Sequence, residues 1–162
     1  LVIVGDGPEL PGLQDWAARA GVGAKVIFAG AAEYEDVPAY LRLADAFATA
    51  SKTEVHPLSL IEAMASGLPA IGVRSPGIED TIENGVNGIL CRDDLAEFTA
   101  QMVRLMLEDD RRKEMAGRAR TDADRFDITR TSQLLLEQYQ QLQHERPRHS
   151  PGLVQRLKRF IL

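Results

Sequence analysis

Two carboxylates separated by seven residues, Glu54 and Glu62, lie in the run Ser51-Lys-Thr-Glu-Val-His-Pro-Leu-Ser-Leu-Ile-Glu-Ala-Met-Ala-Ser-Gly-Leu-Pro69. The run reads as a polar loop, then a helix with Pro57 at its first position, stopped by Gly67 with Pro69 just beyond. From Leu58 to Ala65 every side chain is apolar or small except Ser59 and Glu62. A carboxylate in such a helix calls for a partner or a ligand. A helix N-terminus presents unpaired N–H groups and a positive dipole end to a phosphate, and a nearby carboxylate accepts hydrogen bonds from sugar hydroxyls. The spacing therefore suits a nucleotide sugar. It equally suits a plainer arrangement, in which Glu62 is a first-turn acid complementing the dipole and Glu54 is a solvated loop charge.

The elements that position these groups follow from periodicity. Leu1–Val4 is a short apolar run of the kind that forms a strand buried on both faces of a parallel sheet. Residues 8–19 are helical in pattern, with Leu13, Trp16, Ala17 and Ala20 on one face and Gly21 and Gly23 as stops. Strands are expected at 25–29, 46–50, 69–73 and 88–91, and helices at 35–43, 78–83, 95–107, 110–124 and 129–143. Strands alternating with helices predict an α/β fold of βαβ units with an open parallel sheet. Ligands of such sheets bind beyond the carboxyl ends of the strands. The loops 5–8, 30–33, 51–57 and 75–77 all follow strands, so they are expected along one edge, with Glu54 on it and Glu62 on the helix rising from it.

Bulk properties narrow the classes. With 162 residues, 27% charged and 44% hydrophobic, the chain has the composition of an ordinary globular domain. A net charge of −5 argues against a nucleic-acid binder. No apolar run approaches the ~20 residues of a membrane span, and no signal-peptide pattern is present. Cys91 is the single cysteine, which fits a reducing cytoplasm and a packing role. No His/Cys/Asp cluster has metal-ligand spacing.

Beyond the carboxylate run, Gly5-Asp-Gly-Pro8, Val26-Ile-Phe-Ala-Gly30, Leu43-Ala-Asp-Ala46, Pro76-Gly-Ile-Glu-Asp80 and Gly85-Val-Asn-Gly88 occur in order. Together with Glu62-Ala-Met-Ala-Ser-Gly-Leu-Pro69 they resemble the Glu-x7-Glu glycosyltransferases (group 1, or family 4 type). That large retaining family includes sucrose synthases and phosphatidylinositol mannosyltransferases. The resemblance spans roughly residues 1–140 and implies one half of a two-domain GT-B architecture. It assigns Glu54 to the donor sugar hydroxyls, as the catalytic carboxylate, and Glu62 to the ribose hydroxyls. Val55, His56, Pro57 and Leu58 are implied to offer backbone N–H groups and the helix end to sugar and phosphates, and the Gly30–Ala32 turn to meet the base. Uridine is the default base, and transfer without an essential metal is expected. His56 as a general base is not favoured, and Asp80 is expected to be structural.

The family's Arg and Lys that clamp the diphosphate follow a first strand that this sequence lacks, since Leu1–Val4 corresponds to the second. Lys52 and Arg74 do not match that motif. The expected organisation is therefore a donor-binding domain over 1–143 lacking its first strand, and a basic amphipathic tail over 144–162. The partners expected are a nucleotide sugar and an N-terminal acceptor domain of the same protein, with no nucleic acid. The tail either packs on that domain or touches the inner face of the cell membrane. A cytoplasmic bacterial enzyme of polysaccharide or glycolipid synthesis is expected, inactive as this fragment alone. Two other classes share the features: a non-catalytic nucleotide-binding or scaffold module, and a sugar-nucleotide epimerase of the same architecture.

Overall fold

The computed structural model describes residues 1–145, so the basic tail expected over 144–162 lies almost wholly outside the described residues. The chain divides into two units, Leu1–Asp122 and a second beginning at Ala123. In the first, β1 (Val2–Val4) is followed by α1 (Leu10–Arg19), β2 (Ile27–Gly30), α2 (Val37–Arg42), β3 (Phe47–Thr49), α3 (Leu58–Ala65) and β4 (Ala70–Val73). Then come α4 (Pro76–Thr81), β5 (Gly88–Cys91), α5 (Leu95–Leu107) and α6 (Asp109–Ala123). The second unit carries α7 (Ile128–Glu145), whose start is held by Asp127, its carboxylate accepting from the N–H groups of Thr129 (2.9 Å) and Arg130 (3.1 Å).

All strand pairings are parallel, as the βαβ pattern requires, and they form two sheets, β1-β2 and β3-β4-β5. The three-stranded sheet carries the core. Every residue of β4 is buried between its two neighbours. Ile71, Ile89 and Cys91 pack with Leu105 of α5 and Met115 of α6, and Phe98 and Met102 close the cluster. Leu60, Ala63 and Met64 form the buried face of α3. Asn87 is buried with both ends of its amide used. Its Oδ1 accepts from the Glu83 N–H, and its Nδ2 donates to Asp122, each at 2.8 Å.

The β1-β2 sheet differs from expectation. Leu1, Val2 and Val4 are exposed, although the run was read as a strand buried on both faces. Two strands alone leave both edges and much of each face uncovered, and burial depends on neighbours rather than on the strand's own sequence. The same holds for α1: of its expected apolar face only Ala17 is buried, while Leu13 and Trp16 stand exposed. Helix starts also moved. Pro57 is the cap residue before α3 rather than its first position, with ψ at 83°, outside the helical region. Residues 34–36 form a 3-10 turn ahead of α2, and Pro38 follows at the helix start. Gly67, at φ +79°, ends α3 in the left-handed conformation that glycine adopts without strain.

Candidate functional site

The loop from Ser51 to Pro57 leaves β3 and delivers the chain to the N-terminus of α3. The side chain of Glu54 is half-buried and is held by Ser51, whose hydroxyl donates to Oε1 at 3.0 Å. The backbone is fixed as firmly. The Gly77 N–H, at the start of α4, donates to the Glu54 carbonyl at 3.0 Å. A Cβ at Gly77 would lie 2.6 Å from the carbonyl oxygens of both Glu54 and Val55, so only glycine permits this approach. The Ser75 hydroxyl lies 3.5 Å from the Ser51 carbonyl oxygen. The loops after β3 and β4 are thus joined at the carboxyl end of the sheet.

Glu62 is the fifth residue of α3, half-buried, and no acidic residue occupies the first turn. The first-turn dipole role is therefore excluded, because dipole complementation fades beyond the first turn. Among the described residues the Glu62 carboxylate has no hydrogen-bond or ion-pair partner. No side chain caps the start of α3, whose first internal bond is Ile61 N–H to the Pro57 carbonyl at 3.0 Å. The first-turn N–H groups are available to a ligand. Around them Val55, His56 and Leu58 are exposed and Pro57 is buried, with Val55 at 85% and Leu58 at 62%.

The other expected positions sit on the second sheet. Gly30 ends β2 with φ +73°, and its carbonyl accepts from the Gly5 N–H at 2.7 Å, which ties the loops after β1 and β2 together. Ala32 is half-buried in the turn that follows. No hydrogen bond links Gly30 or Ala32 to the Ser51–Leu58 loop. The structure therefore brings Glu54, Val55, His56, Pro57, Leu58 and Glu62 onto one loop–helix junction, with Gly30 and Ala32 on a separate pair of loops. Sequence reasoning missed Ser51 and Gly77. The glycine left one trace, a Pro76-Gly77 pair after a strand, which reads as a turn and not as a contact. Among the described residues no group of three or more His, Cys, Asp or Glu side chains is placed to hold a metal ion.

N-acetyl-alpha-D-glucosaminyl L-malate synthase of Bacillus anthracis is 33% identical over 121 residues, covering 74% of this chain and 31% of the relative. A GDP-mannose-dependent alpha-mannosyltransferase of Corynebacterium glutamicum is 37% identical over 122 residues, with 74% of this chain and 28% of the relative covered. The chain thus spans about a third of the length of these relatives. Among solved structures, HepE of Anabaena, in complex with UDP and glucose, superposes with a TM-score of 0.77 at 25% identity, over 86% of this chain and 40% of HepE. A sucrose-phosphate synthase of Thermosynechococcus elongatus, at 22% identity and a TM-score of 0.79 over 88% of this chain and 38% of its own, shows the same fold. These neighbours are GT-B enzymes. The family model for glycosyl transferases group 1 matches residues 1–122, and the chain belongs to that family.

Proposed function

We propose that this chain is the donor-binding domain of a retaining glycosyltransferase that takes a UDP-sugar and transfers the sugar to a glycan or lipid acceptor. The observation that carries the reading is the junction of β3 and α3. A partnerless half-buried carboxylate, an uncapped helix start and a carboxylate held by Ser51 stand together there, in a fold whose relatives are sugar transferases. Glu62 accepts hydrogen bonds from the ribose hydroxyls. The backbone of Val55 to Leu58 meets the diphosphate, and Glu54 meets the sugar hydroxyls. The backbone of Gly30 and Ala32 meets the base. HepE, crystallised with UDP and glucose, supports a uridine donor.

The chemistry assigned to these groups is electrostatic and positional. As the bond from the anomeric carbon to the diphosphate lengthens, negative charge gathers on the leaving oxygens. N–H groups fixed at the α3 start stabilise that charge without reorganising. The acceptor hydroxyl forms the new bond on the same face, and its proton passes to the departing diphosphate. No metal ion is required in this scheme.

The same reading assigns residues 1–143 to the donor domain and residues 144–162 to a basic tail that contacts the acceptor domain or the inner face of a bacterial membrane. No described helix is long and apolar enough to cross a membrane. The strand orders β2-β1 and β3-β4-β5 become one doubly wound sheet if a single strand stands between β1 and β3. That strand and the basic residues after it belong, on this reading, to the remainder of a longer polypeptide, and the 162-residue chain alone does not transfer sugar.

The test is kinetic, in the longer polypeptide. Glu62→Ala weakens donor binding roughly 10- to 150-fold, the worth of one charge-assisted hydrogen bond, whereas Glu54→Ala lowers turnover more than affinity. Normal kinetics in both variants overturns the assignment, and sugar transfer by the 162-residue chain alone overturns the claim that it is incomplete.

A further inference from the structure

A cavity of about 360 Å³ opens beside the edge strand β5. It is lined by Arg74, Arg92, Arg104 and Arg111, by the amides of Asn84 and Gln101, and by a single carboxylate, Glu97. Four guanidinium groups around one small cavity are conspicuous in a chain of net charge −5. None of the lining residues belongs to the donor-site set, so the argument stands independently of it.

Each arginine is held from one side. Arg74 pairs with Glu79 at 2.7 Å and Arg92 with Glu97 at 2.5 Å. Arg104 and Arg111 share one carboxylate, Glu108, at 2.7 and 3.1 Å. Glu108 is shared between two cations, and Glu97 is the one acid in the cavity lining, with Asp94 acting on Arg92 from outside it. Every guanidinium has five donors, so a single ion pair leaves most of each fork unused. The pairs therefore orient the forks instead of saturating them. Asn84 is fixed in the same way, its Oδ1 accepting from the Leu90 N–H of the edge strand at 2.9 Å, which turns its amide nitrogen into a spare donor. Positioned arginine forks with neutral amides between them match the oxygens of phosphate groups.

We infer that this cavity, whose lining shares no residue with the donor-site set, binds a ligand carrying two neighbouring phosphate charges. The ligand is either a soluble diphosphate or the phosphate-bearing headgroups of an anionic lipid surface, and the chemistry of recognition is the same for both.

Amide shifts of the 162-residue chain, followed by NMR during titration with inorganic pyrophosphate, test the inference. Shifts are expected at Leu90, Arg92, Gln101 and Arg104. The double variant Arg92→Gln/Arg104→Gln is expected to weaken binding by at least about tenfold through loss of two charge-assisted contacts. Glu97→Gln removes the one lining negative charge while keeping an amide oxygen that accepts from Arg92, and it is expected to tighten binding, a change that mere loss of structure does not produce. Glu62→Ala is expected to leave these shifts as they are. Co-sedimentation with phosphatidylglycerol-containing vesicles that needs the same arginines identifies the source as a lipid headgroup, and pyrophosphate binding without co-sedimentation identifies a soluble ligand. Shifts confined to Val55–Leu60, equal affinity in the arginine variant, weaker binding in Glu97→Gln, or no binding of either probe overturns the inference.

Discussion

The Gly77 N–H meets the Glu54 carbonyl at 3.0 Å across a gap that no side chain can enter. One glycine after β4 therefore sets the height of the loop that carries the catalytic candidate on β3. The Ser51 hydroxyl then sets the direction of the Glu54 carboxylate. Backbone and side chain are fixed by different neighbours, and this lets the two contributions be separated by mutation.

Gly77→Ala forces a Cβ against two carbonyl oxygens at 2.6 Å. Backbone cannot yield as a flexible side chain can, so the loop must shift. The expected result is a loss of about 1–3 kcal/mol in urea unfolding, together with weaker nucleotide binding. Ser51→Ala removes one partly exposed hydrogen bond and is expected to cost about 1 kcal/mol or less. Equal stability of Gly77→Ala and the natural chain would show that the loop relaxes freely.

The core makes a separate prediction. Leu105 is 1% exposed and packs with Ile71, Ile89, Cys91 and Met115. Leu105→Ala leaves a cavity under α5 and is expected to cost about 2–5 kcal/mol. A loss below about 1 kcal/mol would mean that α5 does not close this core in solution.

Cys91 is fully buried in that cluster. Burial pushes its thiol above the ordinary value of 9.0, Glu97 adds to the rise and Arg74 opposes it. The thiolate is the reactive form, so a disulfide reagent at pH 8 is expected to label the folded chain far more slowly than the urea-unfolded chain. The linkage has a definite sign. A thiol whose folded value is raised holds its proton longer when folded, so its contribution to stability is lost as pH rises above 9. Cys91→Ala is expected to flatten that alkaline loss.

Glu108 behaves oppositely. Arg104 and then Arg111, by hydrogen bonds, hold its carboxyl below the usual 4.5. The stability it contributes is present above that value and is lost as pH falls through the lower folded value. Melting curves recorded from pH 7 to about pH 3 should show a smaller acid loss in Glu108→Gln than in the natural chain. The pair is exposed, so the effect is expected to shrink with added salt.

The legible and illegible parts of this molecule divide along physical lines. β5 and α5 fall where periodicity places them, because Asn84-Gly85 punctuates one end and Asp94 caps the other, its carboxylate accepting from the Glu97 N–H at 2.7 Å. Glu62 stands out in the sequence because a carboxylate in an apolar helix is a local anomaly, and Glu54 only by its spacing from Glu62 in the loop before that helix. The exposure of Val2 and Trp16 was not, since it depends on which neighbours are present. Nor was the arginine cavity, whose four cations are spread from residue 74 to residue 111 and share no linear motif. The Gly77 contact is tertiary and leaves only a turn signature in sequence.

Titration of the 162-residue chain with UDP, GDP and ADP, read by amide shifts and repeated in Glu62→Ala, tests the donor-site assignment most directly. The account predicts shifts at Val55 to Leu60 with UDP, at a Kd on the order of 1 mM or weaker, about −4 kcal/mol, and their loss in the variant. Shifts elsewhere, shifts that survive Glu62→Ala, or no response to any nucleotide would contradict it.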